Sequence, residues 1–266
     1  MKKRFLLKLL AVSAFAASLG TASMAAEPVT IKIGASPVPA GDILNFVKPK
    51  LAEKGINLKI IEFSDYIQPN LALSDKEIDA NFFQHKPFMD KFAADRGLKL
   101  HAMPGIFIAP IALYSNKIKD VKEIKKGDRI TIPNDPTNGG RALQLLASAG
   151  LLKLKDNVGH SASIEDIVEN PLKLKIIEVE AATLPRTLDD VKASVINQTY
   201  ALSFGLNPVK DAIIIESKDS PYANIVAVRE GDQNRPEILE LNNTLRTPEV
   251  KAFILEHFKG SLIPSF

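Results

Sequence analysis

Three aromatic rings crowd a histidine in Phe82-Phe83-Gln84-His85-Lys86-Pro87-Phe88. Before it, Ile78 to Phe83 reads as a short strand; beyond it, apolar residues at 88, 89, 92 and 93 have helical spacing. Pro87 falls in the first turn of that helix, where its missing N–H does no harm. Aromatic faces beside a few polar groups at a strand-to-helix turn can line a small-molecule pocket in an α/β sheet. The same residues would also make a core corner with a capped helix.

A second candidate is Pro133-Asn134-Asp135-Pro136-Thr137-Asn138-Gly139-Gly140-Arg141, which follows a strand and opens a helix running to about Ala149. Asn138 or Thr137 is the expected N-cap. Adjacent glycines uncover backbone N–H groups, the helix dipole favours an anion, and Arg141 adds a planar fork suited to a carboxylate. A phosphate loop is excluded because no Gly-Lys-Ser/Thr follows, and the dinucleotide glycine spacing is absent. The alternative is a capped helix with a surface arginine. Asn197 at one strand end and Asn224 at the start of another supply amide oxygens that accept from an ammonium group without burying a second carboxylate.

Catalytic patterns are sparse. The four histidines, at 85, 101, 160 and 257, show no paired metal-ligand spacing, and Gly159-His160-Ser161-Ala162-Ser163 lacks the last glycine of a nucleophile elbow. A hydrolase built on Ser161 and His160 is therefore the weaker reading, and no cofactor motif is present.

The compartment is written in the first residues. Lys2, Lys3, Arg4 and Lys8 precede an apolar run from Leu9 to Leu19, and Ser23-Met24-Ala25 offers small residues where a signal peptidase reads, so residues 1–25 are expected to be a cleaved secretory signal. That run is shorter than the roughly 20 apolar residues of a spanning helix. With no cysteine there is no lipid-attachment site, no disulfide and no thiolate metal ligand, and a periplasmic protein without a lipid anchor is expected. Removing the signal leaves 30 Lys and Arg against 31 Asp and Glu. A near-neutral surface argues against nucleic acid or anionic lipid as a partner. The basic run Lys117 to Lys126 is interrupted by Asp120 and Glu123 and reads as a solvated helix face.

Short β-branched runs begin near Val29, Leu58, Ile78, Leu98, Ile106, Arg129, Leu174, Ala193, Ala212 and Asn224, alternating with helical patterns, which is an α/β arrangement. Ile106 to Tyr114, broken by Pro110, and Asn224 to Arg229 are candidate crossings between two lobes. They divide the chain into a first lobe of 27–111 plus 226–266 and a second of 112–225, with a ligand cleft between. One continuous doubly wound sheet is the alternative.

Four ordered blocks resemble the methionine-binding (NlpA lipoprotein) family of ABC-importer substrate-binding proteins: Asp79 to Pro87, Ile132 to Asn138, Val195 to Ala201, and Lys218 to Tyr222 leading to Asn224. The resemblance implies a two-lobed type II periplasmic-binding fold, hinged on two crossing segments, that holds a free amino acid and delivers it to a membrane permease. It implies that Arg141 holds the α-carboxylate, with Asn138 contributing through the same turn. Asn197 and Asn224 then orient the polar ends, and Tyr66, Phe83, His85 and Phe88 surround the side chain. L-methionine is the implied ligand, with a dipeptide or another apolar amino acid as the rival. Phe82 and Phe88 stand where the family commonly has tyrosine, and Pro39-Ala40-Gly41-Asp42 lacks a histidine often found after the proline. The family is also usually lipid-anchored.

Overall fold

The computed structural model describes residues 27–266, so the expected signal segment lies outside the described residues. The chain begins with β1 (Val29–Ala35), α1 (Asp42–Glu53), β2 (Ile56–Glu62), α2 (Gln68–Ser74), β3 (Ala80–His85), α3 (Lys86–Arg96), β4 (Leu100–Ala102) and β5 (Phe107–Ile108). It then builds β6 (Ala112–Tyr114), β7 (Arg129–Pro133), α4 (Pro136–Ser148), β8 (Lys153–Leu154), β9 (Ile167–Glu169), β10 (Lys175–Val179), β11 (Ala193–Ile196), α5 (Gln198–Ser203), α6 (Pro208–Asp211) and β12 (Ala212–Ile215). β13 (Ala223–Arg229), α7 (Pro236–Thr244), α8 (Pro248–His257) and β14 (Ile263–Pro264) complete it.

Two separate sheets result, so the continuous-sheet alternative fails. One has the order β14-β5-β13-β3-β1-β2 with β4 also on β13; the other has the order β10-β7-β11-β6-β12; β8 and β9 form a small ribbon. Each large sheet repeats one plan. A central strand (β1 or β7) is flanked by two parallel partners, and the next strand out (β13 or β6) runs antiparallel. Because β1 and β7 each sit where strand order reverses, crevices open at their carboxyl ends. Each sheet has its own apolar core: Ile31, Ile33, Leu44, Phe82 and Val226 lie in the first, and Ile130, Ile132, Leu143, Leu146 and Val195 in the second. The fold is thus a two-lobed α/β body.

The chain passes between the sheets twice, through 109–111 and 216–222. Pro110 accounts for the first, since it cuts the apolar run into β5 and β6. The second passage precedes the strand expected to make it, because β13 pairs with β3 from Asn224 onward and belongs wholly to the first sheet. Another expectation also changes. Lys117 to Lys126 is not a helix; apart from one 3-10 turn at Val121–Glu123, started by an Asp120/Glu123 capping box, it is loop.

Two local devices aim the site. On β13, Ile225 faces Gln84 while Val226 faces Phe82, so the register slips at Phe83. Such a bulge re-aims side chains that strict alternation would place on opposite faces. Phe83, Gln84 and His85 consequently all reach one cavity, while Phe82 enters the core with its ring 5.4 Å from that of Phe107. Beneath them three buried amides hold α2 against β3. Asn70 Nδ2 donates to Gln84 Oε1 (2.8 Å), Asn81 Nδ2 to Asn70 Oδ1 (2.9 Å), and Gln84 Nε2 to Asn70 Oδ1 (2.7 Å) and Asn81 Oδ1 (2.9 Å). Buried amides are tolerated because they satisfy one another.

In the second sheet, α4 lies close over the end of β7. A Cβ on Gly139 would stand 2.9 Å from the Pro133 carbonyl oxygen, a backbone atom that cannot swing aside. Gly139→Ala should therefore cost roughly 1 to 3 kcal/mol of stability. Urea unfolding would register this as a lower midpoint with an unchanged slope, and an unaltered midpoint would refute the close approach.

Candidate functional site

The carboxyl ends of β3, β7 and β11 and the start of β13 meet between the sheets. Around the cavity they enclose are Tyr66, Phe83, Gln84, His85, Phe88, Ala109, Asn138, Arg141, Asn197, Gln198, Thr199 and Asn224. All eight residues singled out from the sequence are in that lining. Its volume, about 20 Å³, is room for about one water.

The aromatic wall is tightly built. Tyr66 lies 5.7 Å from Phe83 and 5.9 Å from Phe88, and Phe88 stands edge-on to Phe83 at 6.1 Å. Tyr200 closes the wall from the other lobe, with its ring 4.8 Å from Tyr66 and its hydroxyl donating to the Ser64 carbonyl at 3.3 Å. Burial raises the pKa of both phenols, so both stay protonated and neutral.

The polar side runs as a chain across the lobes. His85 caps α3 by accepting the Phe88 N–H on Nδ1 at 3.1 Å. That bond places the ring proton on Nε2, which then donates to Asn138 Oδ1 at 3.1 Å. Asn138 Oδ1 also accepts from Asn197 Nδ2 (2.9 Å), while Asn138 Nδ2 donates to both oxygens of Asp135 (3.0 Å each). The N-cap of α4 is thus Asp135 rather than Asn138 or Thr137, because Asp135 accepts the Asn138 N–H at 2.9 Å and the helix already starts at Pro136. Asn138 is freed by this to point into the cavity. Asn197 Oδ1 and both amide atoms of Gln198 are buried without a hydrogen-bond partner among the described residues.

Arg141 is 3% exposed. Nε donates to Glu216 Oε1 (2.7 Å) and Nη2 to Glu216 Oε2 and to the Ala109 carbonyl (2.8 Å), while the guanidinium carbon stacks 4.2 Å from the centre of the Tyr222 ring. Burial pushes the Tyr222 phenol up to about 12, against the opposing pull of Arg141. One edge of the fork is therefore already taken by a protein carboxylate. Nη1 makes no hydrogen bond among the described residues, so that edge of the fork has no protein partner there.

A larger hollow of about 260 Å³ adjoins this one and shares Tyr66 and Phe88 with it. Its remaining walls are mostly apolar faces and solvated charges such as Lys91, Asp95 and Glu180. The smaller cavity is the better candidate because it carries a cationic anchor and unpaired amides within a few side chains of each other. Ser161, by contrast, is exposed in a short 3-10 turn, far from a nucleophile elbow's strand-to-helix setting.

A model of the NlpA lipoprotein family matches residues 31–266. The chain belongs to the NlpA lipoprotein family. It is 46% identical over 266 residues to the probable D-methionine-binding lipoprotein MetQ of Vibrio cholerae, covering 98% of each chain. Identity to the D-methionine-binding lipoprotein MetQ of Escherichia coli is 44% over 241 residues, 89% of each. The fold is similar, with a TM-score of 0.86 and 46% identity, to a nutrient binding protein from Burkholderia cenocepacia bound to methionine, covering 89% of this chain and 100% of that one. Where these relatives are named lipoproteins, this NlpA-family chain contains no cysteine.

Several lining residues of this NlpA-family site carried no signal that sequence reasoning used: Gln84, Gln198, Thr199, and behind them Asp135 and Glu216. Asp135 is the most testable. Burial raises its pKa above the usual carboxylate value, outweighing the hydrogen bonds from Asn138 and Thr137 that pull it down. Since the unfolded chain gives up this proton first, folding stability is lost as pH climbs from the unfolded to the folded pKa. Asp135→Asn removes that loss. Urea unfolding of both proteins across the acidic range should show the variant gaining on the wild type as pH rises, and parallel profiles would contradict a raised Asp135.

Proposed function

We propose that the protein is the substrate-binding component of an ABC importer, holding L-methionine or a close relative between its lobes and presenting the closed form to a membrane permease. The observation that carries this reading is the convergence of a half-occupied guanidinium, unpaired amide groups and an aromatic wall on one cavity. Arg141 Nη1 would take the α-carboxylate. Asn197 Oδ1 and Gln198 Oε1, with Asn224, would accept from the ammonium group. Tyr66, Phe83, His85 and Phe88 would surround the side chain. A thioether suits such a wall, since sulfur-aromatic contacts add about 0.3 to 1.5 kcal/mol each and burial of a Met-sized side chain roughly 1.5 to 3 kcal/mol. Micromolar affinity needs about 8 kcal/mol, so the charged ends must carry much of the binding.

We take 27–111 with 223–266, which keeps all of β13 with its sheet, as one lobe and 112–222 as the other, joined by the two passages. The signal-like start supports a periplasmic mature protein. The names of the relatives and the methionine-bound neighbour support the ligand class, and the adjoining hollow keeps a dipeptide as the second reading.

Protein unfolded to strip carried-over ligand, refolded and titrated by calorimetry with both enantiomers of methionine, the other amino acids and short peptides should respond to methionine most strongly. Heat with none of them would sink the proposal, and a stronger response to a methionyl dipeptide would replace it with the second reading. Arg141→Ala should weaken binding by roughly 2 to 5 kcal/mol. An undiminished affinity would remove Arg141 from the site.

A further inference from the structure

Glu216 does not line the cavity, yet it fixes the charge of the group that does. Its carboxylate occupies the Nε and Nη2 edge of Arg141, and neither partner is free to leave. The Glu216 N–H donates to the Ile111 carbonyl at 3.0 Å and the Ile111 N–H reaches Glu216 Oε2 at 3.4 Å, so this one residue of the second passage is bound to the first passage from both its backbone and its side chain. Tyr222 covers the guanidinium face. The charge is therefore held in place rather than trailing in solvent.

Other ionisable groups at the cavity do not offset Arg141 in the same way. His85 is held as the neutral Nε2–H tautomer by the Phe88 N–H, Tyr66 is neutral, and Asp135 lies outside the cavity lining, bonded to Thr137 and Asn138 rather than paired with Arg141, with burial favouring its protonated form. Without Glu216, Arg141 would present a net positive charge to anything entering, and a simple carboxylate would satisfy it. With Glu216 in place the pair is already neutral. A bare anion then brings an uncompensated charge into a poorly hydrated space, whereas a zwitterion brings its own compensation.

From this geometry, and resting on the amino-acid reading above, we infer that Glu216 is a specificity-determining residue: it neutralises Arg141 from behind so that the cavity selects a ligand carrying both carboxylate and ammonium over a simple carboxylate. Removing the Glu216 charge leaves the carboxylate contribution common to both ligand types. It costs only the ligand with an ammonium group, which loses a nearby negative charge and meets an unbalanced Arg141.

The test compares L-methionine with 4-(methylthio)butanoate, which differs only in lacking the amino group, on the wild type and on Glu216→Gln, which keeps the side chain's size and the backbone bond to Ile111. The wild type should prefer methionine by roughly 30-fold or more, and the variant's preference should shrink by about tenfold, as a charge several ångströms away in a partly shielded site requires. Glu216→Asp, which keeps the charge, should retain most of the preference. A residue that merely braced the passages would weaken both ligands alike, so an unchanged ratio in Glu216→Gln overturns the inference. Should that variant fail to fold, the wild type still decides it: affinity for the deaminated acid within threefold of that for methionine overturns the inference, while no binding of methionine overturns the reading on which it rests.

Discussion

A guanidinium buried between a backbone carbonyl and an aromatic ring must have a counter-charge, and the position of that counter-charge organises the middle of this molecule. Arg141 is carried inward on the second turn of α4, which lies low over β7 because Gly139 has no side chain to hold it off. Its partner Glu216 comes from the start of a passage between the lobes and is sewn to the other passage at Ile111. The ion pair thus touches a helix of one lobe and both connections to the other. Removing either member would leave a buried charge alone, which is far more damaging than never having built the pair.

The aromatic side has a different logic. His85 ends β3, caps α3 and reaches across to Asn138, so one residue joins a strand, a helix and the opposite lobe. The bulge at Phe83 makes this possible by shifting the register there, and Phe83, Gln84 and His85 all border the cavity. The buried amides of Asn70, Asn81 and Gln84 then fix the segment from behind. Both readings of the aromatic corner prove partly true: Phe82 is core and Phe83 and Phe88 are wall.

Much of this was legible in the sequence because it rests on local signals. Strand-to-helix turns are marked by prolines at 87 and 136, the break at Pro110 marks a passage, and ring-rich and glycine-rich turns stand out against their surroundings. What stayed hidden depends on partners distant in the chain. Glu216 lies 75 residues from Arg141 and looks like any charged residue at a strand end. A bulge depends on the register of β13 against β3, which no period within β3 reveals. The N-cap of α4 was misplaced for a related reason: four residues of capping type, Asn134, Asp135, Thr137 and Asn138, occur close together, and Pro136 at the first helical turn decides for Asp135. The same ambiguity turned a lysine-rich loop into an expected helix, since spaced charges alone do not distinguish the two.

The cavity's narrowness has a kinetic meaning. Space for about one water cannot admit an amino acid while Tyr200 reaches Ser64 and His85 reaches Asn138. Capture must therefore follow a prior parting of the lobes, and the observed association rate would level off with rising ligand concentration at the rate of that parting, rather than climbing toward the diffusional limit. Release meets the same bottleneck from inside. A ligand held this way would stay for a time set by the opening of the two sheets rather than by its own contacts alone.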